Sequence, residues 1–278
     1  MSNFTGSLSD SPLLLAGKRL LITGVVNSDS IAFASARAAQ RAGAEIVLAV
    51  LPRDRERAEE ARLELDHPVE MIEMDITNAD DVNATRRWIT ETWGALDGAL
   101  HAIAFAPRQA LSGAMREATV EQAARAFETS TFSYVTLASM LEDLAPPTGG
   151  SLVGLDFHAS AAWPLYNWMG VCKAALEATS RYVARDLGPR KIRSNLVAAG
   201  PLTTRAASGI PEFAHLVDAW EERSAVTWDP NDASPVGEVV AFLFSDASRM
   251  ISGEVLHVDG GFHAMASGAD AKEISPGA

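Results

Sequence analysis

Residues 18–43 read KRLLITGVVNSDSIAFASARAAQRAG, and the fold turns on how this stretch is read. Lys18–Thr23 is a short apolar run of the kind that makes a buried strand. Ser30–Ala42 repeats small apolar residues at helical spacing until Gly43 stops it. A strand that turns through a short loop into a helix is the first half of a βαβ unit. In a doubly wound sheet this is where dinucleotide phosphates lie, against the free N–H groups of the helix start. Gly24 leaves the backbone bare, and Ser30 suits both an N-cap and a hydroxyl facing a pyrophosphate. The loop is not G-x-G-x-x-G, however, because Gly24 is its sole glycine; a capped helix after a strand explains it equally well.

Outward from that stretch, short apolar runs alternate with helical segments. Further strands are expected at Glu45–Val50, Val69–Met74, Ala99–Ile103, Gly150–Gly154, Ile192–Val197 and Glu254–Val258. Helices are expected at Asp54–Leu65, Asp80–Trp93, from about Thr119 to Leu144 before Pro146-Pro147, at Tyr166–Leu187, and in the region up to Ala247. The pattern predicts an α/β fold, a Rossmann-type doubly wound sheet of seven parallel strands with helices on both faces. No Gly-, Ser- or Pro-rich linker and no solenoid repeat interrupts it, so residues 15–265 are expected to form one catalytic domain. A flexible extension (1–14) and a flexible tail (266–278) should flank it.

Composition narrows the function. Across 278 residues the net charge is −13, which argues against nucleic acid or an anionic membrane as partner. One cysteine, Cys172, excludes an internal disulfide and fits a reducing compartment. The stretch Leu13–Ala16 is too short for a signal peptide, and nothing approaches the length of a spanning helix, so a cytoplasmic protein is expected. No His, Cys and carboxylate group has metal-ligand spacing, so no metal is expected.

Other strand tips carry candidate ligands. Asp75-Ile76 could hold an adenine edge by a carboxylate and an apolar side chain, and Ile103-Ala104 offers small apolar atoms beside a ribose. Core filling would explain either one alone. The second strand runs into Leu51-Pro52-Arg53-Asp54-Arg55 with no acid at its tip. Arg53 or Arg55 could therefore meet a 2′-phosphate, unless each is simply a solvated residue at a helix start.

Tyr166-Asn-Trp-Met-Gly-Val-Cys-Lys173 opens the helix after the fifth strand. Seven residues apart, the tyrosine and lysine share one helical face two turns along. A tyrosine hydroxyl can donate to an oxyanion forming on a carbonyl, and a nearby lysine keeps the local field positive.

With these residues the chain resembles the short-chain dehydrogenase/reductase superfamily, and within it the bacterial enoyl-acyl-carrier-protein reductases. The resemblance covers nearly all of residues 15–265. Most of the superfamily places tyrosine four residues before lysine, where this chain has Met169; the enoyl reductases place it seven before, as here. The segments His101–Pro107, Gly24–Ala32, Asn195–Pro201 and Val258–Gly261 are also similar to theirs. The resemblance implies that Tyr166 bonds a thioester carbonyl and that Lys173 bonds the nicotinamide ribose. It implies cofactor contacts at Gly24, Val26, Ser30, Ile31, Asp75, Ile76, Ile103, Ala104, Leu202 and Thr204. Phe157, nine residues before Tyr166, matches an aromatic near substrate and nicotinamide, as in actinobacterial members, and Met169 joins it beside the substrate. The implied cofactor is NADH, with NADPH not excluded. The implied substrate is an enoyl thioester on acyl carrier protein or coenzyme A, and the implied assembly a homotetramer.

Departures from the pattern carry expectations too. Ala102 and Ala104 stand where close relatives have a serine and often a glycine, which predicts looser cofactor binding. Ile210–Leu216 lacks the cations that some relatives use to dock the acidic carrier, leaving Arg205 and Arg223 nearby. The stripe Ala206, Ala207, Ile210, Phe213, Leu216 and Val217 either walls an acyl channel or packs its helix on the domain. His101 is expected to be a buried partner of backbone groups, and Cys172 a packing residue. Two other readings stand beside the enoyl reductase: a β-keto carbonyl reductase using the same pair, which Met169 argues against, and a nicotinamide-binding paralogue without turnover.

Overall fold

The computed structural model describes residues 14–164, 166–205, 207 and 213–266. The expected flexible ends therefore lie almost wholly outside the described residues, as do Ala206 and Ile210. One seven-stranded sheet runs through the molecule in the order β3-β2-β1-β4-β5-β6-β7. Its strands are β1 (Arg19–Thr23), β2 (Glu45–Val50), β3 (Glu70–Glu73), β4 (Gly98–His101), β5 (Gly150–Asp156), β6 (Ile192–Ala199) and β7 (Val255–Val258). Every neighbouring pair is parallel. The order reverses between β1 and β4, so a crevice opens beyond their carboxyl ends, at the switch point of the topology.

Helices bury both faces of the sheet. On one side α1 (Ile31–Arg41), α2 (Arg55–Leu63) and α9 (Ser234–Phe244) close over Leu20, Ile22, Leu48 and Val197. On the other, α3 (Ala79–Thr92), α6 (Ser133–Leu144) and α7 (Asn167–Leu187) close over Leu21, Val47, Ala99 and Leu152. Successive residues of β1 thus serve opposite cores, as the two-residue period of a strand requires. The remaining helices, α4 (Arg108–Leu111), α5 (Val120–Phe127) and α8 (Phe213–Arg223), lie near the crevice end of the chain's connections. Among the described residues no helix is long and apolar enough to cross a membrane.

Two local expectations are corrected. β4 ends at His101, so Ile103 lies in the following loop. There the Thr23 hydroxyl donates to the Leu100 carbonyl (2.7 Å) and accepts the Ala102 amide (3.1 Å), so a side chain takes the place of the backbone ladder. The helix expected over Thr119–Leu144 is α5 and α6 joined by a π-helical turn, Glu128–Phe132. Such turns widen a helix by one residue and often mark functional sites. This one turns Ser130 onto the amide and carbonyl of Phe105 (2.9 Å each), and the Thr131 hydroxyl onto the Cys172 carbonyl (2.9 Å).

Candidate active site

The crevice is built from the segments that leave the carboxyl ends of β1, β3, β4, β5 and β6, together with the start of α7. At β1, Gly24 takes φ +83°, and a Cβ there would stand 2.1 Å from the Ala102 carbonyl oxygen. Ser30 caps α1, accepting the Phe33 amide at 3.2 Å. The first turn of α1 carries no acid, and its Ile31 and Ala32 amides have no acceptor among the described residues. Unfilled donors at the positive end of a helix dipole form a seat for an anion. The Asp75 Oδ1 accepts the amide and hydroxyl of Thr77 (2.9 and 2.7 Å), leaving Oδ2 for another donor. Ile76 is buried, Ile103 half-buried and Ala104 exposed, all beyond strand ends.

Of the chain's three tyrosines, Tyr134 is sealed beneath the sheet against the Ser194 hydroxyl (2.7 Å), its phenol raised by burial to about 12. Tyr182 is 61% exposed on α7. Tyr166 stands at the cleft, 9% exposed, and its hydroxyl has no partner among the described residues. Burial, and then the nearby Asp156 and Cys172, hold its phenol protonated far into alkaline pH. It is therefore a ready hydrogen-bond donor. Its neighbour Asn167, at φ +25°, is a backbone exception that asparagine tolerates better than most. The Asn167 side chain is tied to the Gly113 carbonyl at 3.0 Å.

Two turns along α7, Lys173 is 6% exposed and donates to the Leu155 carbonyl at 2.7 Å. Burial lowers its pKa, and Asp156 and Cys172 oppose that shift. Asp156, the last residue of β5, is pushed up to about 7 by burial, with Lys173 opposing. The structure brings Tyr166, Met169 and Cys172 into one apolar cluster with Phe157 packed on it, while Lys173 lies outside that cluster, tied to the Leu155 carbonyl. His101 is buried as expected, but its partner is a side chain, the Ser133 hydroxyl at 2.7 Å. Burial first, then Lys173, lowers its pKa to about 3, so it is neutral and no base.

Sequence reasoning missed an aromatic wall. The Phe157 ring lies 5.2 Å from Tyr166, 5.2 Å from Trp163 and 5.6 Å from Trp220. Trp220 in turn stacks on Phe262 at 3.7 Å. Arg223 sits over Phe262 at 4.4 Å and donates to the Met265 carbonyl, so this cation braces the wall. Behind it His158 meets His257 at 3.1 Å, and His257 stacks on His263 at 3.8 Å. Even so, no group of these residue types among the described residues is arranged to hold a metal ion. Phe213 opens α8 half-buried, while Leu216 and Trp220 on the same helix are buried. Arg53 and Arg55 are surface residues whose nearest acids are Asp54 (3.6 Å) and Glu73 (3.3 Å).

A parallel sheet with this strand order, an anion seat at its switch point and a tyrosine–lysine pair beside it define a dinucleotide-binding α/β protein of oxidoreductase type. Comparison with known proteins narrows the class. A family model described as enoyl-(acyl carrier protein) reductase matches residues 24–263. The enoyl-[acyl-carrier-protein] reductase [NADH] of Mycolicibacterium smegmatis is 36% identical over 262 residues, covering 89% of this chain and 97% of that one. A Rhizobium meliloti enoyl-[acyl-carrier-protein] reductase [NADH] is 38% identical, covering 94% and 96%. The Escherichia coli enzyme of the same name, FabI, is 37% identical, covering 89% and 95%. The chain belongs to the enoyl-(acyl carrier protein) reductase family.

Proposed function

We propose that this protein reduces the 2,3-double bond of a trans-2-enoyl thioester, carried on acyl carrier protein or coenzyme A, in fatty-acid or related acyl-chain synthesis. The observation that carries this reading is a protonated Tyr166 hydroxyl, without a partner among the described residues, at the N-cap of the helix that carries a buried Lys173. When bound, NADH would supply a hydride for the β-carbon. Tyr166 donates to the thioester carbonyl oxygen and holds the charge that develops there as the enolate forms, after which the α-carbon takes a proton. Lys173 donates to the ribose hydroxyls. The α1 amides, with Gly24, Val26, Ser30 and Ile31, receive the pyrophosphate, and Asp75 and Ile76 flank the adenine. Ile103, Ala104, Leu202 and Thr204 line the remaining length of the cofactor. Phe157, Met169 and Phe213 face the acyl chain, and Met169 withholds the second hydroxyl that a carbonyl reductase would place there.

The catalytic unit is residues 15–265, working in the cytoplasm as a homotetramer. The half-buried Val255, Leu256 and Val258 of the edge strand β7 favour self-association. Sedimentation should give the tetramer mass. The deciding assay is NADH oxidation with crotonyl and with acetoacetyl thioesters. Turnover of the first and not the second supports enoyl reduction; the reverse outcome, or none with either, removes it.

A further inference from the structure

Asp156 is a buried charge that the roles above leave unused. It ends β5 beside Ala198 of β6 and is 6% exposed, and neither carboxylate oxygen has a well-aligned hydrogen-bond partner among the described residues, the nearby Phe157 amide being the one donor that acts on it. A buried carboxylate in that condition is rare, because its lost hydration is normally replaced by donors. Its place in the chain is equally pointed. The residue before it, Leu155, offers its carbonyl to the Lys173 ammonium, and the residue after it, Phe157, packs on Tyr166. A carbonyl dipole can orient an ammonium but cannot neutralise it.

The charged and titratable groups around this corner come from β4 and from α7 with its N-cap. From β4, His101 is neutral. From α7, Glu177 acts on Asp156 and Cys172 on Lys173, and Tyr166 at the N-cap of α7 is itself acted on by Asp156 and Cys172. Among these groups Lys173 is the cation; burial lowers its pKa, and Asp156, ahead of Cys172, is the charge that opposes that lowering.

We propose that Asp156 is a positioning residue that acts through Lys173, as the counter-charge that keeps the lysine an ammonium and so extends nucleotide binding to alkaline pH. The inference rests on the reading of Lys173 as the ribose ligand. Below neutrality the medium itself keeps Lys173 protonated, and Asp156 is dispensable. Above neutrality its carboxylate is ionised and opposes the loss of the lysine proton. Without it, burial acts on Lys173 unopposed by its main partner.

The test is NADH affinity of the full chain, read by nucleotide fluorescence from pH 6 to 9.5, for wild type, Asp156→Asn, Asp156→Ser and Lys173→Met. Asp156→Asn should match wild type near pH 6, then lose affinity at a pH about one unit or more lower, a roughly tenfold deficit on the alkaline side. Asp156→Ser should show the same displaced limb and serves if the asparagine variant fails to fold. A uniform loss at every pH would mark Asp156 as structural and overturn the proposal, as would an unmoved alkaline limb. Lys173→Met should weaken binding throughout and remove the limb. If it binds NADH like wild type, the lysine reading falls and this inference with it. If it does weaken binding while the Asp156 variants keep the wild-type limb, the inference alone fails.

Discussion

Gly24→Ala asks whether the residue that opens the cofactor loop is dictated by the fold itself. Gly24 sits at φ +83°, and an added Cβ would meet the Ala102 carbonyl oxygen at 2.1 Å and its carbon at 2.9 Å. Two penalties combine. The left-handed conformation costs an alanine about 1–2 kcal/mol. The clash is with backbone that the Thr23 hydroxyl holds through the Ala102 amide, so relief requires the β4 tip to move. Overpacking of that kind costs about 1–3 kcal/mol. Gly94 isolates the first penalty: it has φ +73°, and nothing lies within 4 Å of an added Cβ. Gly94→Ala should therefore cost about 1–2 kcal/mol and Gly24→Ala about 2–5 kcal/mol. Urea unfolding followed by circular dichroism reads the difference as a midpoint shift at constant slope. NADH binding should weaken in Gly24→Ala alone, since the displaced tip leads into Ile103. Equal destabilisation by the two substitutions would refute the close-approach argument.

Tyr166→Phe keeps the ring that packs on Phe157 and removes a hydroxyl without a partner among the described residues. Stability and NADH affinity should hold while kcat falls about 10²–10³-fold, and undiminished turnover would exclude Tyr166 as the oxyanion donor. His101 is held neutral in the fold, with a pKa of about 3 against an ordinary 6.5. Its stabilising contribution is full above pH 6.5 and is lost as pH falls toward 3, by about 1.4 kcal/mol per unit. His101→Gln should flatten that part of the acid-unfolding curve relative to wild type, and parallel curves would count against it. Arg53→Ala and Arg55→Ala should leave kcat/KM with NADH unchanged; if NADPH is preferred and either variant abolishes the preference, these arginines are phosphate ligands. With enoyl thioesters of increasing length, kcat/KM should rise and level off by roughly a dozen carbons, each buried methylene contributing about 0.8 kcal/mol until the channel ends. Phe213→Ala should flatten the rise, and a steady gain to much longer chains would show that α8 does not limit it.

The residues legible in the sequence are those whose neighbours in space are neighbours in the chain. Ser30 caps the helix it precedes, and Lys173 lies on α7 as expected, although that helix begins at Asn167, one residue later than the sequence suggests, with Tyr166 as its N-cap. Where β4 ends was not legible, because its end is set by the Thr23 hydroxyl, 79 residues before Ala102. The π turn was hidden for another reason: Thr119–Leu144 keeps an almost unbroken helical pattern, and the extra residue shows only through what Ser130 and Thr131 reach. The aromatic wall joins Phe157, Trp163, Trp220 and Phe262 from separate segments, with no spacing to announce it. Asp156 reads as an ordinary strand-end acid until the fold buries it without a well-aligned donor among the described residues.

Ala102 shows how far a resemblance can be carried before geometry must take over. Set against close relatives, its missing hydroxyl reads as a loss of cofactor affinity. In the fold, the backbone of Ala102 is already committed on both sides: its amide to Thr23 and its carbonyl against Gly24. The contact joins the tips of β1 and β4 across the switch point mainly through the Ala102 backbone, with the Ala102 Cβ next nearest to Gly24. The loop geometry that a dinucleotide needs is therefore set by Thr23 and Gly24. The residue at 102 can change its side chain without moving that frame. What it would alter is the contact its side chain makes with the cofactor, a smaller effect than loss of Gly24, whose replacement must shift the frame itself.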